Sequence, residues 1–149
     1  MNSLILRTGT RALIPIFLFV ALATLWRGHN DPGGGFIGGL VAAISVALYE
    51  KAFGVEEARR WLRLPPMVIA GAGLLMAIAG GLWGVVENGV FLSGVWPIYV
   101  NVDGAWEGFP VGSILLFDTG VFLVVVGVVS AILFALEEAG VPANREEED

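Results

Sequence analysis

A chain of 149 residues has the length of one domain, yet 56% of it is apolar, only 15% is charged and the mean hydropathy is +0.80. Soluble domains carry about 25% charged residues, so an ordinary soluble fold is excluded. The absence of cysteine excludes a disulfide framework, a thiol nucleophile and a thiolate metal site, and a single histidine excludes a His-rich one; no metal, cofactor or nucleic-acid partner is expected.

Four apolar stretches, Leu4 to Trp26, Pro32 to Tyr49, Leu64 to Val86 and Val111 to Leu136, dominate the chain. Each is about as long as the roughly 17–25 residues a helix needs to cross the hydrocarbon core. The sequence therefore predicts an all-α integral membrane protein with four transmembrane helices. Residues 1–140 form the membrane domain (spans about 4–26, 32–49, 64–86 and 111–136), and 141–149 form an acidic cytoplasmic tail.

The first stretch carries Arg7 and Arg11 near its start, as a signal peptide would. It is followed by Trp26-Arg27-Gly28-His29 rather than a small-residue cleavage site, so it is read as a retained span. Both arginines can snorkel to the cytoplasmic surface.

Between the first two spans runs Arg27-Gly28-His29-Asn30-Asp31-Pro32-Gly33-Gly34-Gly35-Phe36. This reads as a helix start: Asn30 or Asp31 can cap the free N–H groups, and Pro32 suits the first helical position, where the N–H it lacks would have no partner. His29 could titrate near neutral pH and relay protons, or hydrogen-bond the backbone in a capped turn. A phosphate-binding loop is excluded, since no Lys-Ser/Thr follows the glycines and no strand precedes them.

In the second span Gly35, Gly39, Ala43 and Ala47 recur every four residues, with Gly34, Gly38 and Ala42 alongside. The third has Gly73, Ala77 and Gly81 with Gly80 and Gly84, and the fourth Gly127, Ala131 and Ala135. Small ladders let helix backbones approach in lipid, where leaving the acyl chains gains little. Internal packing needs only one such ladder, so three also point towards other subunits.

The loop after the second span holds Lys51, Arg59, Arg60 and Arg63. Val55, Ala58 and Leu62 fall at helical spacing beside Trp61, and Glu56 precedes Arg60 by four residues, predicting a short interfacial helix that anchors the topology. The long loop after the third span has no lysine or arginine, so the positive-inside rule places both termini and the middle loop in the cytoplasm.

That outer loop alternates β-branched and aromatic residues with turn signals. Trp96, Ile98, Val100 and Val102 share one side of a strand limited to an edge by Pro97, and Asp103-Gly104 is a tight-turn pair. A small β-hairpin or ordered flap is expected. Glu87, at the end of the third span, reads as a solvated rim residue.

In the fourth span, Asp118 lies in Leu116-Phe117-Asp118-Thr119-Gly120, about 9 Å inside a helix starting near Gly112. Its same-face neighbours Ile114, Leu115, Val121 and Phe122 offer no partner, so one must come from another helix, a water, a cation or another protein. Either the carboxylate handles ions or it fixes packing through a hydrogen bond.

The segment Gly28 to Leu40 together with Leu116-Phe117-Asp118-Thr119-Gly120-Val121 resembles the B subunit of the Mrp-type (multiple resistance and pH) sodium/proton antiporter. The resemblance covers essentially the whole chain. It implies a subunit of a multi-subunit complex in the prokaryotic cytoplasmic membrane, related to the membrane arm of respiratory complex I. Its partners would be the other antiporter subunits, the lipid bilayer, sodium ions and protons. It would have no catalytic activity of its own and would contribute to assembly and to the sodium path.

Within that resemblance the candidates for an ion path or subunit contact are Asp118, His29, Asn30, Pro32, Gly33, Gly34, Gly35 and Phe36, with Gly38, Gly39 and Ala43 for helix packing. Asp31 is variable in the family pattern and carries no role beyond capping. The same module occurs in membrane-bound hydrogenases and related sulfur-reducing complexes, so a membrane anchor of a redox enzyme is the alternative. A self-sufficient transporter is a third reading, disfavoured because one intramembrane acid supplies few oxygens for an ion.

Overall fold

The computed structural model describes residues 4–28, 33–102, 105–108 and 111–140. In chain order the elements are α1 (Leu4–Arg27), α2 (Gly34–Phe53), α3 (Val55–Leu62), α4 (Pro66–Asn88), β1 (Tyr99–Val102), β2 (Ala105–Gly108) and α5 (Ser113–Gly140). Four of the helices are long and apolar enough to cross a membrane. Pro66 opens α4 at a position where its missing N–H has no intrahelical role.

The spanning helices stand in the order α1, α2, α5, α4. α2 runs antiparallel to α1, with Gly38 against the backbone of Ala21 and Leu25. It runs parallel to α5, with Gly39 against Phe122 and Val125, while α5 is antiparallel to α4, with Gly73 facing Leu123 and Gly80 facing Phe117. A methyl group on Gly39 would come 2.8 Å from Val125 Cβ, and one on Gly73 2.6 Å from Gly120 O. Close approach of backbones thus replaces side-chain interdigitation along these seams.

The ladder glycines are consequently occupied within the chain, whereas Ala135 of the fourth ladder is exposed. α2 uses Gly34 and Gly38 towards α1 and Gly35 and Gly39 towards α5. α4 uses Gly73 and Gly80 against α5, and Gly81 and Gly84 against the loop that follows it; Gly127 of α5 meets Pro66 and Ala70. Surface remains for lipid or other subunits on the large apolar residues of α1 and α4, such as Ile16, Phe19, Leu75 and Val86, which are exposed.

At the basic end, α3 lies against α2 and α5. Val46, Ala58 and Phe134 are buried together, and Trp61 stacks on Tyr49 with centroids 5.0 Å apart and an interplanar angle of 10°. Arg60 pairs with Glu57, three residues away, at 3.1 Å instead of with Glu56. The i,i+3 neighbour is as close on a helix surface as the i,i+4 one, so either acid could serve. Arg7 and Arg11 both lie over the Phe53 ring, and Arg7 Nε donates to Ala52 O.

At the other end the chain leaving α4 folds back on it: Leu92 N–H donates to Gly81 O at 3.2 Å. Ser113, buried at the start of α5, ties this return segment down by accepting from Val95 N–H and donating to Ser93 O. The hairpin follows, antiparallel, with Tyr99 opposite Gly108 and Val102 opposite Ala105. Asp103 and Gly104, the expected turn, and the directions of the strand side chains lie outside the described part. Glu87 is exposed.

Candidate functional site

The first three N–H groups of α2, on Gly34, Gly35 and Phe36, have no intrahelical acceptor; the next, on Ile37, bonds to Gly33 O. Gly33 sits before the helix with φ +93 and supplies no side-chain cap. Such an end carries partial positive charge and attracts an anion. The acidic side chain that faces it is Asp118, whose carboxyl group lies within hydrogen-bonding reach of the Gly35 backbone N–H. The interhelical partner that the sequence demanded is therefore a main-chain donor.

Absent Cβ atoms make the contact possible. A methyl group on Gly35 would strike the Asp118 backbone, and one on Gly28, just after α1, would land on Asp118 Oδ2. Gly28 and Gly34 also touch, since a Cβ on Gly34 would lie 2.7 Å from Gly28 N and 2.8 Å from Thr24 O. The end of α1, the start of α2 and the first turns of α5 thus converge on one carboxylate.

Asp118 Oδ2 is buried with no hydrogen-bond partner among the described residues. Its free lone pairs can accept a proton, bind a water or coordinate a cation. The arrangement offers one carboxylate held by a backbone donor, and among the described residues no group of three or more acids or histidines joins it.

Of the residues expected here, Gly34 and Gly35 are brought to Asp118, and Gly38, Gly39 and Ala43 are buried along α2. Gly33 is at the exposed turn, and Phe36 has half its surface exposed. His29, Asn30, Asp31 and Pro32, with the capping roles assigned to them, lie outside the described residues.

Sequence reasoning missed Gly28 as a site residue, although its place in the motif was a signal. It also missed four buried polar side chains that have an atom without a partner among the described residues: Thr10, Ser45, Glu50 and Ser130. Glu50 could not be singled out because the apolar run stops one residue before it, whereas α2 continues to Phe53. With Asp118, these residues all lie on α1, α2 and α5; among the described residues none is on α4.

A domain family described as related to the MnhB subunit of the Na+/H+ antiporter matches residues 5–131. The chain belongs to this family. The B subunit of the Na+/H+ antiporter of Bacillus subtilis (strain 168) is 35% identical over 138 residues, covering 92% of this chain and 94% of that one. Its counterpart in Alkalihalophilus pseudofirmus is 31% identical over the same shares. Among solved structures, a chain of the Mrp complex from Dietzia sp. DQ12-45-1b matches 99% of this chain with a TM-score of 0.71 and 31% identity, but this is only 15% of its own length. The MnhB-type unit therefore also stands as one part of a much longer polypeptide.

Proposed function

We propose that this MnhB-family chain is a non-catalytic membrane subunit of a multi-subunit Na+/H+ antiporter, and that it contributes to assembly and to the ion path. The observation that carries the second half is the Asp118 carboxylate at the start of α2, beside Gly35 N–H and with Oδ2 lacking a partner among the described residues. A carboxyl group at membrane depth with acceptor capacity to spare is a candidate for ion handling. The other buried polar groups without a partner among the described residues lie on α1, α2 and α5, which supports a polar interior on that side of the helix row. The antiporter names of the relatives favour this reading over a hydrogenase-type anchor.

In this reading the basic end, with Lys51, Arg59, Arg60 and Arg63, faces the cytoplasm with both termini, and the hairpin end faces outwards. Cysteines at Asn88 and Asp103 are expected to label from outside in intact cells, and one at Ala58 only after permeabilisation; the opposite pattern would reverse the orientation. Co-purification from native membranes in mild detergent tests the assembly. Large antiporter-type subunits are expected with the chain, and recovery of iron–sulfur subunits in their place would overturn the proposal.

A further inference from the structure

The turn from α3 into α4 builds a basic cavity that neither the ion path nor the helix packing uses. It measures about 280 Å3 and is lined by Arg59, Arg60, Arg63, Leu64, Pro65 and Pro66. Arg63 closes α3 in the left-handed region, φ 64, with its N–H bonded to Arg60 O at 3.2 Å, and the two prolines stiffen the start of α4. Three arginines thereby line one short arc.

Two of them are steadied from outside. Arg59 Nη2 bonds Glu138 Oε1 at 2.6 Å, and Arg60 Nη1 bonds Glu57 Oε1 at 3.1 Å. A guanidinium carries five N–H donors, so each keeps several free. The Arg63 side chain has no ion pair or hydrogen bond among the described residues. Three positive charges against two carboxylates leave the cavity cationic.

Leu64, Met67 and Val68, apolar and exposed, continue from the cavity on to α4. A cation-lined cavity at the end of a spanning helix, continuous with an apolar flank, has the two halves of a lipid site: donors for a phosphate and a surface for acyl chains. We propose that this cavity binds the phosphate of an anionic glycerophospholipid, with the acyl chains along Leu64, Met67 and Val68. A phosphatidylcholine fits less well, because its choline cation would face the arginines.

The test uses the intact complex in vesicles that contain photoactivatable phosphatidylglycerol, with cross-links mapped to peptides. Labelling of residues 59–68 is expected, reduced by unlabelled phosphatidylglycerol and unaffected by phosphatidylcholine. Arg63→Gln should lower it by about tenfold, the order of a lost charge-assisted hydrogen bond, and Arg63→Lys should recover part of it. Should the variants fail to assemble, the wild-type competition series decides alone. Labelling only elsewhere, equal competition by phosphatidylcholine, or displacement by an excess of inorganic phosphate would overturn the proposal, the last by revealing a site for free anions.

Discussion

The two ends of this helix row handle charge in opposite ways. At the basic end, ion pairs join side chains that remain exposed: Lys51 with Glu137, Arg59 with Glu138 and Arg60 with Glu57. Arginines also lie over the Phe53 and Phe134 rings. Each contact has neighbours that can replace it, and water can screen whatever is lost. At the hairpin end one carboxylate meets a main-chain donor, in space that exists only because Gly28, Gly34 and Gly35 lack side chains. Redundancy protects the first arrangement; the second depends on single atoms.

Substitutions should expose that difference in a definite order. Gly35→Leu should be the most damaging, since a Cβ there already collides with the Asp118 backbone and the rest of the side chain must separate α2 from α5. Loss of the assembled complex, measured by co-purification yield, is expected; normal yield and transport would mean that the two helices do not touch there. Gly28→Ala adds one methyl group against Asp118 Oδ2 and 2.9 Å from Gly34 Cα. Overpacking of this kind costs roughly 1–3 kcal/mol, so a lower thermal midpoint of the purified complex is expected, together with impaired antiport.

The basic end should respond less. Trp61→Ala removes the stack on Tyr49, a contact of about 0.5–1.5 kcal/mol beyond its buried area, so a lower thermal midpoint with antiport retained is expected. Arg60→Gln breaks an exposed pair and should cost less than about 1 kcal/mol, leaving the midpoint nearly unmoved. If Arg60→Gln were as harmful as Gly28→Ala, the contrast between the ends would be false.

Hydropathy made the four spans legible because in lipid a spanning segment must satisfy its backbone internally and present apolar side chains, a requirement read from one dimension. The interfacial helix was legible from the spacing of Val55, Ala58 and Leu62, and the hairpin from alternation around Asp103-Gly104. Asp118 stood out for the same reason that an acid in an apolar run always does. Its partner did not, because a backbone N–H leaves no mark in a sequence and the choice of α2 over α4 depends on the order of helices in the row. The burial of Ser45, Glu50 and Ser130 is likewise a product of tertiary packing, and serines among alanines and valines give no sign of it.

The proposed role in the ion path rests on the Asp118 carboxylate, carried by α5 against the start of α2, handling ions as well as packing. Asp118→Asn probes this with the fewest side effects, since the amide keeps the size and can accept the Gly35 hydrogen bond but cannot ionise. Sodium-dependent antiport should be measured in everted membrane vesicles across several pH values and sodium concentrations, normalised to the amount of intact complex. A complex of normal yield with reduced antiport or a displaced pH profile is predicted; normal antiport at every pH and sodium concentration would contradict that role and leave Asp118 a packing residue.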